Sequence, residues 1–212
     1  FMNKGLLDDS GLDINNNILI QNNGFDEDFF KQDLDAKKFS NKLVFAGKLS
    51  RHNKQRGLKF IIDCFNDERL HDFKLQIIGD SDQESISTLN KNSPSNVEFV
   101  GYLKKKETIK ELLNSKVGLL VNSSESDHSL YHTDPLKYYE YSAAGLKIIA
   151  PNFPSHSKLN QYKNIFLYDH ENKDSFIETL KKVFNTSKNK LPISNVTSVN
   201  IRVCNIINFL NS

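Results

Sequence analysis

The sequence predicts an α/β fold, a doubly wound parallel sheet with helices on both faces. Two observations carry this. Short apolar, β-branched runs alternate with segments of helical period through the middle of the chain, the pattern of strands joined by crossover helices. The runs are also nearly continuous in apolarity, as in Leu75-Gln76-Ile77-Ile78, which suits strands covered on both sides and argues against a sandwich with one wet face.

Taken in order, strands are expected at residues 43–46, 75–78, 97–100, 117–121, 148–150 and 165–168. Between them, Leu58, Ile61, Ile62 and Phe65 recur at i, i+3, i+4 and i+7, which marks one apolar helix face. Ile109, Leu112 and Leu113 do so more briefly. Phe176, Ile177, Leu180 and Phe184 mark a later helix, and Val203, Ile206, Ile207 and Leu210 a terminal one. The polar tract 185–200, with Pro192, reads as a connection before that last helix. The first forty residues are polar apart from the strand-like run 18–21. The expected organisation is therefore an arm over 1–40, a domain over 41–186, and a connection with a returning helix over 187–212. Phe29, Phe30, Ile206 and Leu210 give both ends apolar character, so the two arms are expected to lie together.

Composition narrows the function. The 28 basic and 26 acidic residues leave a net charge of +2, and the longest basic run is Lys104-Lys105-Lys106, so no nucleic-acid footprint is expected. Cys64 and Cys204 are far apart and each sits in an apolar helical pattern. They read as buried hydrophobes and not as a disulfide or metal framework, in keeping with a reducing cytoplasm. No apolar run reaches the roughly 18–20 residues of a membrane-spanning helix, and no charged, apolar, small-residue leader opens the sequence.

The most informative segment is Thr133-Asp134-Pro135-Leu136-Lys137-Tyr138-Tyr139-Glu140-Tyr141-Ser142-Ala143-Ala144-Gly145, followed at once by an apolar strand. Thr133 or Asp134 fits a helix cap, Pro135 the first helical position and Gly145 the end. Such a helix start offers backbone N–H groups and a positive dipole end to a diphosphate or a sugar oxygen. Glu140 would then lie about 9 Å along the axis from the cap, where a carboxylate can take both hydrogen bonds of a ribose diol. The plain alternative is a capped helix packed through Leu136, Tyr139 and Ala143, with Glu140 on a solvated face.

This stretch resembles the signature of the group 1 glycosyltransferases, retaining family four. In that family a Glu ahead of an Ala-Ala-Gly turn binds the nucleotide ribose. The resemblance assigns that role to Glu140 and places Thr133, Asp134, Pro135, Leu136 and Lys137 at the donor. The family usually has a second Glu eight positions earlier, near the donor sugar. Here that position is His132, and an imidazole does not reproduce a permanent carboxylate acceptor. Related enzymes with a Ser-Pro-Leu-Lys type of loop also lack the first Glu, and residues 133–137 resemble that variant.

The run Val44-Phe45-Ala46-Gly47-Lys48-Leu49-Ser50 is similar to the family's strand ending in Gly-Arg-Leu, which puts Gly47 beside the donor. Two basic residues, one after this strand and one before the next helix, clamp the donor diphosphate in the family. Lys48 and Arg56 match by type but in exchanged order, and Arg51 and Lys54 compete for the same task. The exchange is not neutral, because Arg offers a planar fork and Lys a compact charge. Ile77-Ile78-Gly79-Asp80 resembles the family's strand followed by Gly-Asp. The run 97–103 resembles the strand whose loop, near Tyr102 and Leu103, holds the base.

The resemblance thus implies the C-terminal, Rossmann-like half of a GT-B glycosyltransferase. It implies a UDP-, GDP- or ADP-sugar as donor, no obligatory metal, and transfer with retention to a glycan or lipid-linked acceptor. The family's acceptor-binding N-terminal domain has no second βα series to represent it here. That half is expected from the same native chain or a partner chain, with any peripheral membrane association arising through it, and the 212 residues alone are expected to be inactive. Two other readings stay open at this point. One is a nonenzymatic nucleotide-sugar-binding subunit that completes or regulates a partner. The other is a response-regulator or flavodoxin-like domain, which shares the fold pattern without the constellation around Glu140.

Overall fold

Six parallel strands form one sheet in the order β5-β4-β1-β6-β7-β8. In the computed structural model, which describes residues 19, 23–27, 41–51, 54–55, 57–80, 83–91, 93–125, 127–159, 163–186 and 198–211, these strands are β1 (Lys42–Ala46), β4 (Lys74–Ile78), β5 (Val97–Gly101), β6 (Val117–Leu119), β7 (Lys147–Pro151) and β8 (Ile165–Tyr168). The two-residue strands β2 (Ser50–Arg51) and β3 (Lys54–Gln55) pair as a separate antiparallel ribbon. The helices are α1 (Leu58–Cys64), α2 (Gln83–Asn90), α3 (Lys105–Leu113), α4 (Leu136–Ala143), the short α5 (Pro154–Ser157), α6 (Lys173–Asn185) and α7 (Val199–Leu210).

Alternation along the strands sends side chains to two separate cores, which is why both faces are covered. From β1, Leu43 and Phe45 join a cluster with Leu58, Ile61, Phe176 and Leu180 of α1 and α6. Val44 and Ala46 join Ile109, Leu112, Tyr138 and Tyr141 of α3 and α4 on the opposite face. The sheet is thus doubly wound, and the expected fold class is the observed one.

The order in which strands are added reverses between β1 and β6. From β1 the chain steps outward through β4 to β5, then crosses back to β6 and proceeds to β8. In open α/β sheets a crevice for ligands opens at this reversal, beyond the carboxyl ends of the strands. β1 and β6 pair only through Leu43 with Val117 and Val44 with Gly118 before they part. Tyr141 of α4 lies over the parting: its ring leaves no room for a Cβ on Gly118, and its hydroxyl accepts the Ala46 N–H at 2.9 Å.

At the opposite edge two lysines close the carboxyl end of α6. Lys116, just before β6, donates to Phe184 O at 2.6 Å, and Lys147, which opens β7, donates to Thr186 O at 3.1 Å. Cations there complement the helix dipole. Near the amino end of α6, Arg69 bridges Asp67 and Asp174 at 2.8 and 2.7 Å.

Two expectations need correction, and a third is not tested. The strand read as 117–121 stops at Leu119, because ladder pairing with β7 ends at Leu119 and Ile149, although Leu120 and Val121 stay buried. Cys64 is buried as expected, but Cys204 is exposed on α7, a helix without a buried residue. The expected strand-like run 18–21, together with Phe29 and Phe30, lies almost wholly outside the described residues.

Candidate functional site

The expected site residues that are described lie toward one edge of the sheet. Gly47 and Lys48 follow β1, Gly79 follows β4, Tyr102 and Leu103 follow β5, and the segment from His132 to Lys137 leads from β6 into α4. All these strands are parallel, so all these positions lie beyond carboxyl ends, on both sides of the reversal.

Close contacts join the middle of this set. Gly79 has no space for a side chain: a Cβ would stand 1.8 Å from the Gly47 carbonyl oxygen. Gly47 N–H donates to Ile78 O and Gly79 N–H to Gly101 O, both at 2.9 Å, so the ends of β1, β4 and β5 step together. The Lys137 side chain reaches over Gly47, its Cε 4.0 Å from where a Gly47 Cβ would be. Its ammonium pairs with the Glu140 carboxylate, one turn along α4. Gly47, Gly79, Lys137 and Glu140 are therefore neighbours. Gly57, ahead of α1, comes against the loop after β6, with the Asn122 carbonyl oxygen 3.1 Å from its would-be Cβ.

The start of α4 differs from the sequence expectation. Pro135, extended at φ −75 and ψ 122, is the cap residue itself, and no side chain caps the helix. Thr133 donates to His128 O at 3.2 Å, and Asp134 faces the N-terminal arm. With Pro135 as the cap, Glu140 lies about 7.5 Å along the axis, not 9 Å. Leu136 is 53% exposed and so does not pack the helix, whereas Tyr139 and Ala143 are buried. Gly145 follows the helix at φ 67, the left-handed ending that the sequence predicted.

Asp134 accepts three hydrogen bonds. One carboxylate oxygen accepts the Asn23 N–H at 2.8 Å and the other the Tyr139 hydroxyl at 2.9 Å, while its carbonyl accepts Asn23 Nδ2 at 2.6 Å. Burial pushes its carboxyl above the ordinary value, opposed by these hydrogen bonds and by the charge of Arg202. Arg202 in turn donates to Asn23 Oδ1 at 2.8 Å. Sequence reasoning placed Asn23 in the N-terminal arm and Arg202 in the terminal helix but named neither as a partner of this segment.

The remaining expected residues are placed more loosely. Lys48 is exposed in the loop after β1. Tyr102 is 73% exposed beyond β5, and Leu103 packs partly on the second core. His132 ends a π-helical turn, His128–His132, its ring 6.0 Å from that of Tyr131. Arg56 lies outside the described residues, as do the side chains of Arg51 and Lys54. Behind this region, His156 of α5 is fully buried, with Nδ1 2.8 Å from Pro151 O and its ring stacked on Phe153. Desolvation lowers its pKa to about 4.

A parallel six-stranded sheet with this order, helices on both faces and a loop-lined edge at the reversal defines a Rossmann-like α/β domain. Within that class, the chain belongs to the family "Glycosyl transferases group 1", whose model matches residues 40–186. No curated protein sequence matches it. Solved structures share the fold at low identity. AviGT4, a glycosyltransferase involved in avilamycin A biosynthesis, matches with a TM-score of 0.70 and 11% identity, over 100% of this chain and 62% of that one. Anabaena HepE, solved in complex with UDP and glucose, matches with a TM-score of 0.62 and 13% identity, over 92% and 56%. WaaG, a glycosyltransferase involved in lipopolysaccharide biosynthesis, gives 0.53 and 15%, over 80% and 42%. The chain spans less than two thirds of the length of each.

Proposed function

We propose that this chain is the donor-binding, C-terminal half of a retaining family-four glycosyltransferase, using a nucleotide sugar to modify a glycan or lipid-linked acceptor. The observation that carries the reading is the start of α4. It has no side-chain cap, it sits at the sheet reversal, and Lys137, paired with Glu140, reaches over Gly47 beside it. A helix start left open in this way favours an anion through its N–H groups and its dipole.

In this reading the donor diphosphate lies at the start of α4 and against Gly47. Lys48 and Arg56 offset the negative charge that grows on the diphosphate as it departs, which is electrostatic catalysis without proton transfer. Lys137 exchanges its partner Glu140 for a phosphate oxygen, and the released Glu140 carboxylate takes the ribose diol. Backbone groups at Tyr102 and Leu103 hold the base, and His132 faces the sugar. A second domain supplies the acceptor site and any contact with the cytoplasmic membrane face. Among the described residues no helix is long and apolar enough to cross a membrane.

A thermal-stability screen with UDP-, GDP- and ADP-sugars tests the reading. A donor at about 100 times its Kd adds roughly 2.7 kcal/mol of stability. Stabilisation by one base class supports it, and no response to any of the three overturns it.

A further inference from the structure

The first turn of α4 is tied to two segments that are remote in sequence. Asn23, 7% exposed, lies 111 residues before Asp134 and gives it two hydrogen bonds, one from its backbone N–H and one from its side-chain amide. Arg202 of α7 completes the chain of contacts by donating to the Asn23 side-chain oxygen, 179 residues away. The same two segments also bind each other. Phe25 and Ser198 form a parallel bridge, Val199 N–H donates to Phe25 O at 2.9 Å, and Ser198 Oγ donates to Glu27 at 2.7 Å. On the other side Asp134 receives the hydroxyl of Tyr139, which is buried within α4.

We infer that Asp134 is a positioning residue that latches α4 to the N-terminal arm and to α7, so that the placement of the two arms sets the placement of the helix start. Asp134 immediately precedes the cap residue Pro135, yet its carboxylate is spent on Asn23 and Tyr139. Two things follow from that one orientation. The helix start is left open, and its position depends on contacts with residues 23 and 202. Asn23 N–H and Tyr139 O–H meet the carboxylate, Asn23 Nδ2 meets the Asp134 carbonyl, and one Nη of Arg202 meets Asn23 Oδ1, while the buried Arg202 Nε makes no hydrogen bond among the described residues. In a buried polar network of this kind each contact holds the next in place, and losing one member strands its partners. The inference rests on the donor-site reading for its consequence in binding, but the mechanical link between arms and helix stands independently of any ligand.

The link is tested without nucleotide by amide hydrogen exchange on the full chain. Asn23→Ala removes both side-chain contacts, and Arg202→Met removes only the outer one. Each is expected to speed exchange at Tyr138, Tyr139 and Glu140 by about three- to tenfold, the effect of one or two lost hydrogen bonds. Amides of Phe176 and Leu180 in α6 serve as the internal control and are expected to stay unchanged. If Asn23→Ala loosens α6 as well, Arg202→Met carries the same comparison. Unchanged protection of α4 in both variants overturns the latch. With UDP as the probe, both variants are expected to bind about fivefold more weakly than the wild type, and saturating UDP is expected to slow exchange of the Asn23 N–H, since coupling between two sites is reciprocal. Binding equal to wild type in both variants, with an unaltered Asn23 amide, overturns the coupling of the latch to a nucleotide at the start of α4. Wild-type protein that binds no UDP, GDP or ADP counts against the donor-site reading, while the exchange comparison still decides the latch.

Discussion

The Tyr141 hydroxyl lies 2.9 Å from the Ala46 amide nitrogen, at the point where β1 turns away from β6 and no longer bonds to it. The same oxygen donates weakly to Leu119 O at 3.4 Å, so one side chain of α4 spans the gap between the two strands. Tyr141 is fully buried. Tyr141→Phe keeps the ring against Gly118 and strands the buried Ala46 N–H. The expected loss is about 1–3 kcal/mol in urea denaturation, the cost of an unpaired buried donor. A loss below about 0.5 kcal/mol would show that the hydroxyl is dispensable.

Gly79 and Gly101 end neighbouring strands but should respond differently to alanine. At Gly79 the new Cβ would meet the Gly47 carbonyl at 1.8 Å, so the ends of β1 and β4 must separate. At Gly101 the space is open and the obstacle is φ +78 alone. Gly79→Ala is expected to cost about 3 kcal/mol and Gly101→Ala about 1 kcal/mol by thermal or urea melts. Equal costs would contradict the steric account.

Glu140→Ala separates a ligand-binding carboxylate from a solvated one. Its ion pair with Lys137 is partly exposed and joins residues three apart on one helix, so its loss costs only about 0.3–0.5 kcal/mol, and alanine is the better helix former. Stability should therefore barely change. Nucleotide binding should weaken roughly ten- to two-hundredfold if the carboxylate holds the ribose diol. Titration calorimetry beside melting curves reads both quantities. Equal affinity in the mutant would remove Glu140 from the site.

His156 gives the fold a pH dependence of definite sign. Burial lowers its folded pKa to about 4 from 6.5, so between those values the unfolded chain binds the proton that the folded chain refuses. Stability contributed by the neutral ring is complete above pH 6.5 and declines as pH falls toward 4, by on the order of 3 kcal/mol in total. Asp67, held well below the usual carboxylate range by Arg69, responds only below its ordinary value near 3.8. Urea midpoints at pH 7 and pH 5 should therefore differ for the wild type and converge for His156→Phe. A mutant that retains the full difference would assign it to another group.

All six sheet strands were legible because a strand buried on both faces writes a near-continuous apolar run. Helices α1, α3, α6 and α7 were legible because each repeats its apolar residues at helical spacing. Helix α2 was not, since Ile86 and Leu89 are its only apolar residues, and the four residues of α5 are too few to show a period. The neighbours Gly47, Lys137 and Glu140 came from local motifs. The cap of α4 was misread because Asp134 has the composition of a capping residue, and what turns it away are partners 111 and 68 positions distant in sequence, Asn23 and, through it, Arg202. No local pattern encodes such a pairing, and Tyr141 likewise carries no sign in the sequence that its hydroxyl will meet Ala46.

Lys116 and Lys147 hold the end of α6 from the edge of the sheet opposite the loops around Gly47. β7 alone, from Lys147 to Pro151, separates the two edges by about 13 Å at 3.3 Å per residue. Substitutions that far apart, with no shared partners, combine nearly additively. The lower edge can therefore absorb stabilising changes that compensate for losses incurred when the upper loops are altered. Change in those loops has a reservoir of tolerance built into the far side of the same sheet.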